Sequence, residues 1–234
     1  MSKKTNNLIN IEQLRNDVSE LCKYEVLFIK KSDALQYSLS TESPARLMKH
    51  GEVWQIAILD YLTEAEKLEA ESHELGHLLV FYRPPGTVSL DTYEMFDDPL
   101  SGLIGRLNNA IPHKLLIDEL KALYNIGSDL HIKLITESLG NIPDMIEREE
   151  KLGSKPYLQA IGVYLFDIAR TNPTTINDIS QVILQNRTVE TTYKLSHKYL
   201  SKVELGQDMS TQRKNVSNFM EELGYKEDEH YFLD

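Results

Sequence analysis

The feature that most constrains the fold is a strand pattern followed at once by a helix with a clear start and a clear end. Residues 52–60 are rich in β-branched and aromatic side chains, which favour extended structure. Thr63 and Glu66 have the spacing of a capping box, and Pro84-Pro85-Gly86 cannot continue a helix. A sheet strand followed so closely by a long helix predicts a domain of the α+β class.

Other strand and helix patterns flank this pair. An amphipathic helix is predicted over residues 11–22, a second strand over residues 25–30 and a looser hairpin over residues 35–40. Residues 91–98 are predicted to be an irregular acidic stretch. We therefore expect a small mixed sheet in this part of the chain.

Helical periodicity dominates from Pro99 onward. Asp98 is predicted to cap a helix with Pro99 in its first turn, and Pro112 is predicted to begin a second helix that runs through Tyr124. Further helices are predicted over residues 129–139, 156–170, 175–185, 189–203 and 210–223. Because Gly153 and Pro156 interrupt a charged run, we expect one domain over residues 1–150 and a mostly α-helical C-terminal region over residues 151–234.

The distribution of charge limits the classes of partner. The net charge is −11, and residues 51–150 alone carry 7 basic and 19 acidic side chains. A surface that binds duplex nucleic acid needs clustered Lys and Arg, so we expect no direct nucleic-acid binding. The sequence contains no apolar run of about 18 residues, and Cys22 is its only cysteine. These features predict a cytoplasmic protein that does not bind a membrane.

The motif that carries chemistry is His73-Glu74-Leu75-Gly76-His77, which has the form HExxH. Residues four apart on a helix lie on the same side, so the imidazoles of His73 and His77 can bind one metal ion. Zinc is the natural occupant of such a pair. Glu74 lies beside that site, where its carboxylate can accept a proton from water.

In this context the segment from residue 52 to residue 80 resembles the strand and active-site helix of the zincin metallopeptidases. The string His-Glu-Leu-Gly-His followed by Leu-Leu is similar to that of the ImmA/IrrE-like group of cytoplasmic zinc peptidases. The resemblance implies a zincin-like fold, a zinc cofactor and hydrolysis of peptide bonds. It also implies that residues 52–60 form an edge strand, to which an extended substrate adds by β-augmentation.

A catalytic zinc ion needs three protein ligands and one open position. We take His113 as the leading candidate for the third ligand, because the predicted helix start at Pro112 would place it where the helix dipole favours a neutral imidazole. Glu94 and Asp98 remain alternatives, and so does a site without a third ligand. Tyr93, Arg106 and Tyr124 are candidate donors to the oxyanion on chemical grounds alone.

These observations together predict a zinc-dependent metallopeptidase that acts on a specific intracellular protein. His73 and His77 would hold zinc, and Glu74 would be the general base. The resemblance further suggests a repressor or another regulatory protein as the substrate. The alternative is an inactive zincin-fold protein that uses its acidic surface to sequester a basic or regulatory partner. A non-peptidase metal-dependent hydrolase is a third possibility.

Overall fold

The computed structural model of the protein describes residues 3–93 and 99–233. Within those residues the chain forms nine α-helices and five β-strands, which confirms the predicted α+β class. No helix in this described part is both long enough and apolar enough to cross a membrane. The chain divides into two compact units, one of Met1–Arg83 with Leu116–Ile135 and the other of Pro84–Leu115 with Thr136–Asp234. The expected boundary near residue 150 stays a prediction.

The first unit contains a mixed sheet of three strands, β1 (Lys23–Ile29), β2 (Ala45–His50) and β3 (Val53–Leu59). Strand β3 lies in the centre, parallel to β1 and antiparallel to β2. A tight turn joins β2 to β3, and Gly51 adopts a φ of 60° there, a left-handed conformation that glycine accepts without strain. The sheet is therefore small and mixed, as the sequence predicts.

Two expectations about this sheet are wrong. Residues 52–60 do not form an edge strand, because the backbone of β3 is hydrogen-bonded on both sides and cannot accept a substrate strand. Residues 35–40 do not form a hairpin strand, because Lys31–Tyr37 is a short 3-10 helix. Ala34 and Leu39 both belong to the buried cluster that contains Leu59. These two residues are five positions apart, whereas side chains on one face of a strand are separated by an even number of positions.

Helix α1 (Lys3–Leu21) precedes β1, and helix α2 (Glu64–Tyr82) follows β3. The predicted capping box of α2 is present: the Glu66 amide donates to Thr63 Oγ1 at 3.3 Å, and the Thr63 amide donates to Glu66 Oε2 at 2.9 Å. Helix α1 packs on α2 and buries Leu14 and Val18. The strong local start and stop signals explain why the limits of α2 could be predicted.

Helix α3 (Pro99–Tyr124) is one continuous helix, so the prediction that Pro112 begins a new helix is wrong. A proline inside a helix costs about 3 kcal/mol or more. Leu107, Ile111 and Leu116 flank Pro112 and are fully buried, and this packing offsets the cost. Helix α4 (Asp129–Glu137) follows after a short loop, and a 3-10 turn at Ser138–Asn141 extends it.

The second unit is mostly helical. Its short strands β4 (Leu90–Thr92) and β5 (His230–Phe232) form an antiparallel pair. The last helix buries Val216, Phe219 and Met220, and Gly224 ends that helix with a φ of 96°. The helices that follow α4 are α5 (Ile142–Leu152), α6 (Lys155–Thr171), α7 (Ile176–Ile183), α8 (Arg187–Tyr199) and α9 (Met209–Leu223). Helix α5 was not predicted, because its last residues are a charged run.

Candidate metal centre

Helix α2 carries the HExxH motif in its middle, where the helix is most deeply buried. His73 is 9% exposed, and Glu74 and His77 are half-buried. The ring centroids of His73 and His77 lie 5.0 Å apart, with the ring planes at 81° to each other. The two imidazoles therefore lie next to each other on one side of α2, as the spacing of four predicts.

Gly76 lies between these histidines at a close contact of α2 with the second half of α3. A Cβ atom on Gly76 would lie 3.2 Å from Leu120 Cδ1 and 3.3 Å from Leu116 Cδ1. Both leucines are fully buried and have little room to move. A side chain at this position would therefore require Leu116 and Leu120 to shift by a few tenths of an ångström.

His131, in the first turn of α4, stacks on His73. The ring centroids are 4.1 Å apart and the planes differ by 19°. The sequence analysis did not select His131, because it has no regular spacing to the motif. The available signal was its place at a helix start, where the helix dipole disfavours a positive charge and so favours the neutral imidazole that binds metal.

His113 lies in the middle of α3 rather than in the first turn of a helix, so the predicted effect of a helix dipole on it is wrong. Instead, His113 Nδ1 donates to Oδ2 of Asp167 on α6 at 2.6 Å, and both side chains are buried. A carboxylate that orients a histidine in this way is typical of metal-binding histidines.

Within the first unit, His73 and His131 bring two possible metal ligands together. Their imidazole nitrogens lie within 4.8 Å of each other, close to the separation of two zinc ligands that each bind at about 2.0–2.1 Å. His113 belongs to the second unit, and its role as a metal ligand stays a prediction. A set of imidazole ligands suits zinc and also copper, iron or nickel.

The remaining candidates from the sequence are placed as follows. Glu94 and Asp98 lie outside the described residues.

Tyr124 donates to Asp17 Oδ2 at 2.6 Å, and burial together with this carboxylate raises the pKa of Tyr124. The Arg106 guanidinium stacks 4.2 Å from the ring centroid of Tyr164, and Tyr93 is exposed beside Tyr231. A role for Tyr93, Arg106 or Tyr124 as an oxyanion donor stays a prediction.

A buried ion pair connects α1 to the motif helix α2. Glu71 is 3% exposed and accepts two hydrogen bonds of 2.7 Å from Arg15 on α1. This pair fixes α1 against α2 two residues before His73. A carboxylate is tolerated at this buried position because the guanidinium binds it with both arms.

Comparisons of the chain with known protein families, with curated proteins and with solved structures find no match. The evidence for a function is therefore the chemistry of the histidines and of Glu74.

Proposed function

We propose that this chain is a zinc-dependent peptidase with a zincin-like fold, whose substrate is a specific protein or peptide. The single observation that carries the proposal is the geometry of the motif on α2. His73 and His77 lie side by side at 5.0 Å in the buried middle of a capped helix, with Glu74 next to them. Two imidazoles and a carboxylate on one helix are groups that metal-assisted hydrolysis uses, and this supports the proposal.

The residues fit a zinc ion in their chemistry. The donors are imidazoles, and His113 is hydrogen-bonded to the Asp167 carboxylate, as histidine ligands of zinc typically are. His73 and His77 would hold the ion, with His113 or His131 as the further ligand. A bound zinc ion supplies Lewis acidity at the scissile carbonyl group.

Glu74 would supply the acid and base chemistry. Its carboxylate is half-buried and adjacent in sequence to His73, so it can accept the proton of the attacking water. The same carboxyl group can then deliver that proton to the leaving amine. Proton transfer of this kind contributes about 10²–10⁴-fold to a rate.

The alternative, an inactive binding protein with an acidic surface, receives less support. Several acidic side chains of the middle region are already engaged within the first unit. Glu71 pairs with Arg15, Glu119 pairs with Arg83, and Glu69 accepts a backbone hydrogen bond. The acidic surface available to a basic partner is therefore smaller than the sequence count suggests.

The proposal is tested by incubating the zinc-loaded protein with a diverse peptide library and detecting cleavage by mass spectrometry. We expect cleavage by the wild type and a loss of at least about 100-fold in Glu74→Gln, with zinc binding retained. Glu64→Gln is the matched control, since Glu64 is an exposed carboxylate on the same helix. Equal rates for Glu74→Gln and the wild type would contradict the mechanism, and zinc binding without any cleavage would favour the binding protein.

A further inference from the structure

Helix α4 is attached to the motif helix through one carboxylate. Glu69, one turn before His73 on α2, accepts hydrogen bonds from the backbone amides of Leu130 and His131. These amides belong to the first turn of α4, where backbone N–H groups have no partner within the helix. The Glu69 side chain thus caps a helix to which it does not belong.

The charge of Glu69 suits this role. An anion at a helix N-terminus interacts favourably with the helix dipole, and hydrogen bonds to a carboxylate are stronger than those between neutral groups. Glu69 is half-buried, so solvent screens the interaction less than at an exposed site. Removing the carboxylate would free the first turn of α4 to shift or fray.

The position of His131 depends on that first turn. Its backbone amide is bound by Glu69, and its ring stacks on His73 at 4.1 Å. Glu69 and His73 are four residues apart on α2 and lie on the same side of that helix. Both ends of His131, its amide and its ring, therefore contact the same face of α2.

From this geometry we infer that Glu69 is a positioning residue, which holds the His131 ring against His73 and so sets the affinity for metal of the site that contains these two histidines. The inference rests on the proposed function in one respect, that the site with His73 binds a metal ion. It adds that His131 is a ligand of that ion and that Glu69 acts through it. Outer residues that orient metal ligands typically change metal affinity by about 10–100-fold when they are replaced.

The test measures zinc affinity by competition with a chelating dye for the full-length wild type, Glu69→Gln, His131→Ala and the double variant. Glu69→Gln keeps the shape of the side chain but removes its charge. We expect a loss of affinity of about tenfold in Glu69→Gln and no further loss when this change is added to His131→Ala. Glu64→Gln, the same chemical change at an exposed site on α2, is expected to bind zinc as the wild type does.

Two results would overturn the inference while leaving the proposed function intact. One is wild-type affinity in Glu69→Gln, and the other is a full additional loss when Glu69→Gln is combined with His131→Ala. A wild type that binds no zinc would overturn both proposals. If Glu69→Gln does not fold, as judged by circular dichroism, Glu69→Asp serves instead, because shortening the side chain by one methylene group also withdraws the carboxylate from α4.

Discussion

The ion pair of Arg15 with Glu71 gives a sharp test of the packing that holds the motif helix. Arg15→Met keeps much of the aliphatic stem of Arg15 but leaves the Glu71 carboxylate, whose side chain is 4% exposed, without its guanidinium. Removing one partner of a fully buried ion pair costs about 3–5 kcal/mol. Because the Arg15 side chain is 32% exposed, water compensates part of this, and we expect a loss of about 2 kcal/mol in the free energy of unfolding.

The assay is thermal and urea unfolding followed by circular dichroism. For a chain of this size a loss of about 2 kcal/mol corresponds to a fall of about 4–8 °C in Tm. Glu12→Gln is the control, because Glu12 also binds Arg15 but its side chain is 61% exposed, and we expect a change below about 0.5 kcal/mol. Replacing both partners, with Arg15→Met and Glu71→Leu together, should recover part of the loss because no charge then stays buried. An unchanged Tm in Arg15→Met would refute the reasoning.

Three further outcomes are expected. Gly76→Ala should destabilise the protein by about 1 kcal/mol in urea unfolding, because the added Cβ would crowd the leucines of α3. Gly105→Ala, at an exposed helical site with open space, should stabilise it by up to about 1 kcal/mol. Equal effects of the two changes would contradict the close contact at Gly76. Asp167→Asn removes the carboxylate that orients His113, so it should weaken zinc binding about tenfold by dye competition if His113 is a ligand, and wild-type affinity would leave His131 as the further ligand. Burial lowers the pKa of His197 below its usual 6.5, so the unfolded chain binds a proton more readily than the folded chain. The free energy of unfolding, measured by urea unfolding at each pH, should therefore fall as the pH drops from 7 to 5. His197→Phe should make this dependence on pH weaker.

The parts of the fold that could be predicted are those with strong local signals. The capping box at Thr63 and Glu66 defines the start of α2 through contacts between near neighbours in sequence, and the prolines that follow α2 define its end. The HExxH spacing likewise fixes the relation of His73 to His77, because a single helix carries both.

The parts that could not be predicted depend on packing between distant segments. Pro112 predicts a helix start in the sequence, but the buried leucine and isoleucine side chains around it keep α3 continuous. The central place of β3 depends on β2, whose residues 45–50 carry too little alternation to be recognised as a strand. His131 reaches His73 because α4 lies against α2, and no spacing in the sequence contains that contact.

The central claim, a zinc site on α2, is tested most directly by the zinc content of the purified protein, measured by elemental mass spectrometry after incubation with zinc and removal of the excess. We predict about one zinc ion per chain in the wild type, as in a site with one set of protein ligands, and its loss in His73→Ala. His50→Ala, which changes an exposed histidine on β2, should retain the ion. A wild-type chain without zinc, or equal zinc in His73→Ala and His50→Ala, would contradict the account.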